Sequence, residues 1–214
     1  MCNLYRLSVP LAEISALFDA ASAPTGANLP AETYPGSPGI VIAAGQVRSM
    51  VWGFPLALTG KQGQPLKPKP VNNARSDKLD SAFWRASFAS RRCLIPLTAW
   101  AEAEGPQGAK TRTWLSLPDQ PVFACAGIWQ PTAPWGDSYA MIMTDAVGAA
   151  ATCHTRMPVI LAQQDWQAWL DTSPEQAWAL CVPYRGAIAI ARTATPWAAP
   201  RSPRQASART GTRA

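Results

Sequence analysis

The sequence predicts a single α+β domain, built mainly on antiparallel β-sheet with helices packed at the edges. Three observations predict it. Between residues 93 and 161, short runs of aliphatic, β-branched and aromatic residues follow one another with turn-forming segments between them. Helical spacing of apolar residues is confined to short stretches near the N-terminus, around residues 79–88 and after residue 165. A chain of 214 residues, 48% hydrophobic and 15% charged, is ample for one domain with a substantial core.

The elements follow in order. Residues 2–7 read as a strand. Pro10 opens a helix over Leu11–Ala21, in which Leu11, Ile14, Leu17 and Phe18 share one face. Residues 24–39, rich in Pro and Gly, read as loop. Ile40–Ala44 and Val47–Trp52 read as two strands around Gly45-Gln46. A long polar connection follows, and Pro65, Pro68 and Pro70 prevent it from being a regular helix or a central strand. Leu79, Phe83 and Phe88 restore helical spacing. Strands are expected at Cys93–Leu97, Trp100–Glu104, Thr111–Leu117, Val122–Trp129, Tyr139–Thr144 and Pro158–Leu161. Trp166, Trp169 and Leu170 mark a short helix, and Ser173-Pro174-Glu175-Gln176 opens another with Ser as N-cap, Pro at the first position and Gln at the third. The domain is expected to span residues 1–198. Residues 199–214, with four arginines and no large apolar residue, are expected to be a disordered tail.

Composition excludes several classes. No apolar run approaches the ~18 residues of a membrane span. Met1-Cys2-Asn3-Leu4-Tyr5-Arg6 has neither the basic nor the apolar region of a secretory signal. The five cysteines (Cys2, Cys93, Cys125, Cys153 and Cys181) form no C-x-x-C pair, which argues against a disulfide framework or a cysteine-rich zinc site. With one histidine a multi-histidine metal site is excluded, and no spaced pair of carboxylates marks a magnesium site. The expectation is a soluble cytoplasmic protein with free thiols and no metal or cofactor.

The net charge is +6, and residues 61–92 carry that excess by themselves: Lys61, Lys67, Lys69, Arg75, Lys78, Arg85, Arg91 and Arg92 against Asp77 and Asp80. A basic stretch on a neutral-to-acidic body suits a polyanion, nucleic acid first. By charge alone, a solvated loop suits it equally well.

Five positions could carry chemistry. Cys2 follows the initiator Met, and a residue this small permits removal of that Met. The mature chain would then carry an α-amine of reference pKa about 7.7 and a thiol of about 8.5 on one residue. Such a pair condenses with an aldehyde, through an imine, to a five-membered thiazolidine. An internal cysteine cannot do this, because its nitrogen is an amide. Position alone would equally fit an ordinary small second residue. His154, the only histidine, sits in Cys153-His154-Thr155-Arg156-Met157-Pro158 before an apolar strand, where a loop junction can present a side chain. Glu102, flanked by Ala101 and Ala103, is a candidate for a buried carboxylate of raised pKa, or an outward strand residue. Asn73 reads as a turn asparagine. Trp52, before Gly53, could offer a stacking face to a base.

Together these stretches resemble the SRAP family of abasic-site processing proteins. The matching pieces are Met1-Cys2, Tyr34-Pro35-Gly36, Val51-Trp52-Gly53, Asn73-Ala74-Arg75, Arg92-Cys93-Leu94-Ile95-Pro96 with Glu102 downstream, Ala126-Gly127-Ile128-Trp129 and His154-Thr155-Arg156-Met157-Pro158-Val159-Ile160-Leu161. They occur in the family's order over roughly residues 1–185. The resemblance implies an SRAP-like fold and a monomer that shields abasic sites in single-stranded DNA, cytoplasmic and nucleoid-associated when bound. It implies that Cys2, freed of Met1, forms the thiazolidine with the ring-opened sugar. Asn73 would hold the N-terminus and the sugar, Glu102 would shuttle protons, and His154 would act on the sugar oxygen in ring opening and reversal. Arg75 and Arg156 would grip phosphates, Trp52 and Thr144 would contact the strand, and the basic stretch with Lys67 and Lys69 would bind it. Family members commonly begin Cys-Gly-Arg, whereas Asn3-Leu4 follows here, and Arg6 is expected to substitute in part. Two rivals remain: a cysteine-type peptidase or amidohydrolase using Cys2, including self-removal of Met1, and a non-catalytic single-strand DNA-binding module.

Overall fold

In the computed structural model, residues 2–22 and 30–198 are described; residues 199–214, expected as a tail, and part of the expected loop at 24–39 lie outside them. The N-terminal region comprises β1 (Tyr5–Arg6), α1 (Leu11–Leu17), β2 (Ala21–Ser22) and β3 (Glu32–Thr33). Pro10 stands at the N-cap of α1, as its fixed φ favours. The helix is shorter than its apolar spacing predicts, because Asp19 takes a left-handed φ of 46° and turns the chain into β2.

Next come β4 (Pro38–Ala43), β5 (Gln46–Trp52), β6 (Phe54–Thr59), β7 (Pro65–Val71), β8 (Asn73–Arg75) and α2 (Arg85–Ser90). Ala44 and Gly45, with φ of 52° and 68°, make the two-residue β4–β5 turn, whose twist suits a hairpin. The predicted helical stretch around 79–88 is a 3₁₀ turn at Ser76–Lys78 followed by α2. Then follow β9 (Arg92–Leu97), β10 (Ala99–Glu104), β11 (Thr111–Ser116), β12 (Phe123–Thr132), β13 (Gly136–Asp145), β14 (Arg156–Pro158) and β15 (Ile160–Leu161). The chain continues through α3 (Trp166–Asp171), α4 (Pro174–Ala179) and β16 (Ala189–Pro196). The capping box predicted at Ser173 and Gln176 is formed.

The strands make two main sheets, in keeping with the single, mainly antiparallel α+β domain that the sequence predicts. One runs β16-β11-β10-β1-β3, antiparallel throughout. The other runs β14-β13-β12-β9-β4-β5-β2, and β5 also pairs in parallel with β13 through Ser138↔Val51 and Tyr139↔Trp52, so this sheet closes on itself. The central strands are buried on both faces, which is why they read as continuous apolar runs rather than as alternation. Ile40, Ile42, Leu94, Ala124, Ala126 and Ile142 face Ile14, Phe88, Trp169 and Ala177 of the four helices. Their neighbours of opposite parity, Val41, Ala43, Cys93, Ile95, Phe123, Cys125 and Met141, form a second core with Trp100 and Leu115 of the other sheet and with Cys2. The N-terminal cysteine is thus a core residue between two sheets.

Two elements depart from the sequence reading. The Pro-rich connection is a two-stranded ribbon, β6 with β7, rather than loop. Pro70 stands opposite Pro55, and Pro68 lies where the register shifts between the Leu56↔Lys69 and Leu58↔Leu66 pairs, positions at which a missing N–H is tolerated. β16 is an edge strand whose residues are mostly exposed, and its Ala-Thr-Arg composition carries no apolar pattern.

Arg92 joins the helices to the sheet. Its buried guanidinium donates to the carbonyls of Phe88 at 2.9 Å and Trp169 at 2.5 Å, and to that of Thr172, satisfying acceptors at two helix ends.

Candidate active site around Cys2

The site begins with strand pairing. Tyr5 opposes Trp100, and the Ala101 N–H donates to the Leu4 carbonyl at 2.9 Å, so the N-terminal segment runs alongside β10 toward Glu102. Cys2 is fully buried there, and its thiol donates weakly to the Leu4 carbonyl at 3.5 Å. Burial pushes the thiol well above its ordinary range, and the nearby Glu102 charge pushes the same way.

Two adjacent asparagines grip the backbone of Cys2. The Asn73 amide donates to the Cys2 carbonyl at 2.7 Å, and the Asn72 amide donates to the same oxygen at 3.1 Å and to Asn3 Oδ1 at 3.1 Å. They are held in turn by β13. β8 pairs in parallel with it through Met141↔Asn73, and the Asn72 carbonyl accepts from the Met141 N–H at 2.9 Å and from the Trp52 indole N–H at 3.0 Å. Asn73 Oδ1 is buried with no hydrogen-bond partner among the described residues. A buried acceptor left in that state is costly unless a ligand or terminal group meets it. Asn72 was not singled out by the sequence; the Asn-Asn doublet at the end of the Pro-rich segment is the only signal it offers.

Glu102, on β10 opposite Thr113, is 2% exposed. Desolvation raises its carboxyl to about 7, so both protonation states are populated near neutral pH, as proton transfer requires. The same shift costs stability. Between the unfolded value near 4.5 and about 7 the folded state binds the extra proton, so stability falls as pH rises through that window. Above it the penalty is on the order of 3 kcal/mol. Glu102→Gln is therefore expected to raise Tm, by more at about pH 8 than at about pH 5. Thermal melts at the two pH values check this, and an equal shift at both would contradict it.

His154 is half-buried after a 3₁₀ turn at Gly148–Thr152, and its N–H donates to the Ala150 carbonyl at 3.1 Å. The Arg156 backbone meets Nδ1 through both its N–H, at 3.0 Å, and its carbonyl, at 3.3 Å. Burial lowers the histidine below its ordinary value. Burial raises the adjacent Cys153 thiol, and so do the charges of Glu104 and Glu102, which places this turn beside β10.

β14 follows His154 and pairs with β13 on the edge that carries Thr144 and Asp145. Arg156 lies 3.6 Å from Asp145 and 3.9 Å from Asp77, while the Arg75 Nε donates to Asp77 at 2.8 Å. The two arginines thus share one acidic partner at the rim. Lys67 and Lys69 stand exposed on β7, the strand that ends one residue before Asn72.

Three expectations need correction. Trp52 has no exposed face for a base. It is fully buried, edge-on to Tyr5 at 5.0 Å and stacked on Tyr139 at 6.5 Å, and it orients the asparagine doublet through its N–H. Thr144 is also buried, because β13 is covered on both faces there. Arg6 does not stand in for the missing arginine: it donates to Glu32 at 2.9 Å and lies 4.0 Å over the Trp114 ring.

Among the described residues no helix is long and apolar enough to cross a membrane. The family model described as SOS response associated peptidase (SRAP) matches residues 1–195. The chain is 28% identical over 121 residues to the abasic site processing protein YoaM of Bacillus subtilis, covering 52% of this chain and 53% of that protein. It is 30% identical over 122 residues to the abasic site processing protein YoqW of the same organism, covering 52% and 54%. The chain thus spans about half the length of the curated relatives it matches. Among solved structures, a protein from Bordetella bronchiseptica superposes with a TM-score of 0.75 at 22% identity, over 90% of this chain and 99% of that one. One from Bacteroides thetaiotaomicron superposes with a TM-score of 0.73 at 19% identity, over 89% and 91%. At these identities the likeness is one of fold.

Proposed function

The chain belongs to the SOS response associated peptidase family, and from that premise we propose that it captures abasic sites in single-stranded DNA covalently, through Cys2. The relatives named abasic site processing proteins support the substrate class. The observation that carries the mechanism is the grip of Asn72 and Asn73 on the carbonyl of Cys2, beside a buried carboxyl titrating at about 7. The backbone of residue 2 is held as well as its thiol, and a reaction at the α-amine needs that backbone held.

Removal of Met1 exposes that amine. It adds to the aldehyde carbon of the ring-opened deoxyribose, and the resulting carbinolamine loses water to give an imine. The thiol then adds to the imine carbon, its proton passing to nitrogen, and the thiazolidine closes with the net release of one water. Glu102 accepts the proton that the ammonium must lose and returns one to the departing hydroxyl. Asn73 Oδ1 accepts from the terminal amine or a sugar hydroxyl, which gives that buried oxygen its partner. His154 moves the proton of the sugar ring oxygen during opening and reversal. Arg75 and Arg156 meet the flanking phosphates by exchanging Asp77 and Asp145 for them.

The test is incubation with an oligonucleotide bearing one abasic site, without reductant, followed by a denaturing gel. A heat-stable adduct is expected. Hydrolysis of a peptide panel with no adduct would establish the peptidase reading instead. Binding to undamaged single strands is expected to weaken steeply with salt, and Lys67→Glu, Lys69→Glu or Arg75→Glu to flatten the log–log slope by roughly 0.7 for each phosphate no longer neutralised. Anisotropy titrations at several salt concentrations measure this, and a salt-independent affinity would contradict it.

A further inference from the structure

Of residues 2–6, Asn3 alone is exposed: Cys2, Leu4 and Tyr5 are buried, and Arg6 is drawn to Glu32. The Asn3 carboxamide is nevertheless fixed. Asn72 Nδ2 donates to the Cys2 carbonyl at 3.1 Å and to Asn3 Oδ1 at 3.1 Å, so the Asn3 oxygen lies within twice that distance of the Cys2 carbonyl. A backbone carbonyl only accepts, so the Asn72 group that meets it is the NH2. The Asn3 atom that meets the same NH2 is therefore the oxygen. It follows that the Asn3 NH2 group faces away from Asn72, and no acceptor among the described residues takes its two N–H donors. Asn72 cannot drift, because its own carbonyl is held by the Met141 N–H at 2.9 Å and the Trp52 indole N–H at 3.0 Å.

We propose that Asn3 is a specificity-determining residue of the crosslinking reaction: its NH2 group, aimed by Asn72, donates to a non-bridging oxygen of a phosphodiester flanking the abasic sugar. The inference deepens the reading of Cys2 above and rests on it. An abasic nucleotide carries no base, so beyond the sugar's own oxygens the acceptors nearest its aldehyde carbon are its two phosphodiesters. An exposed donor one residue from the nucleophile meets these first. Asparagine is an ordinary partner of phosphate oxygens, and an ionised acceptor makes the stronger bond. Because Asn72 already holds the carboxamide, little rotamer freedom is lost when the contact forms. Arg75 on β8 and Arg156 on β14 stand on opposite edges of β13, and Asn3 adds a neutral donor from a third element, the segment that carries the nucleophile. The contact favours the aldehyde of a DNA backbone over a free sugar aldehyde, two substrates that the amine and thiol of Cys2 do not themselves tell apart.

The test compares two aldehydes on the full chain, with adduct formation followed by intact mass. One is an oligonucleotide bearing one abasic site; the other is free 2-deoxyribose, which offers the same aldehyde without phosphate. The quantity measured is the ratio of their second-order rate constants, from which any effect of a substitution on the Cys2 amine or thiol cancels. Asn3→Ala is expected to lower that ratio roughly tenfold, the usual worth of a hydrogen bond to a charged acceptor. Asn3→Asp keeps an acceptor for Asn72 but turns a carboxylate oxygen toward the phosphate. It should lower the ratio further, and the added loss should shrink at high salt. Both losses should be the same with thymidine or adenosine beside the lesion. A wild-type ratio in both variants overturns the proposal, even if both aldehydes react more slowly, because Asn3 would then only prop the Cys2 carbonyl. A loss that follows the flanking base overturns the phosphate assignment. Absence of an adduct with either aldehyde in the wild-type chain ends the Cys2 reading and this one with it, whereas an adduct with an unchanged ratio in the variants ends only this one.

Discussion

Cys2→Ala is expected to form no heat-stable adduct with an abasic oligonucleotide at any incubation time. The effect is absolute because the thiazolidine takes its nitrogen, the two adjoining carbons and its sulfur from this one residue. No other group can donate that set: Cys93, Cys125, Cys153 and Cys181 have amide nitrogens, and a lysine yields only a reversible imine. Cys2→Ser is expected to fail as well, since a hydroxyl is a far weaker partner for the imine carbon than a thiol. The fold should tolerate both changes, which are small and leave the backbone carbonyl in place for Asn72 and Asn73. A time course on denaturing gels reads the outcome. Adduct formation by Cys2→Ala at the wild-type rate would assign the nucleophile elsewhere.

Glu102→Gln and His154→Ala are expected to slow adduct formation by roughly 10²–10⁴-fold without abolishing it, the usual contribution of a positioned acid or base. Neither residue gives atoms to the ring, and water can carry the protons slowly, so adduct should still accumulate. The pH profiles should separate the two. With its carboxyl at about 7, Glu102 becomes a competent base only as pH rises through neutrality, so Glu102→Gln should flatten the rise toward alkaline pH. His154 is shifted below its ordinary value and becomes an acid only on the acidic side, so His154→Ala should remove any acceleration there and slow reversal of a preformed crosslink. Single-turnover rates across pH measure both. Unchanged rates in either variant would remove that residue from the mechanism.

The central strands were legible because burial on both faces leaves an unbroken apolar run, as in Cys93–Leu97 and Tyr139–Thr144. The Ser173 cap was legible because its chemistry is local. The ribbon was hidden by its prolines, which exclude a central strand but not an unpaired edge, and β16 by exposure on a sheet edge. At the site, Glu102 between two alanines carried a readable hint of burial. The Asn72 grip, the core position of Trp52 and the capture of Arg6 by Glu32 depend on partners 20 to 70 residues away. Only the closed sheet brings those together.

The most direct test of the central claim, that one residue supplies both amine and thiol, is the intact mass of the crosslinked species formed without reductant. The expected species is a single adduct equal to the chain beginning at Cys2 plus the abasic oligonucleotide, less one water. An adduct of the same stability that retains Met1 would contradict it, because the nitrogen of Cys2 would then be an amide and no thiazolidine could close.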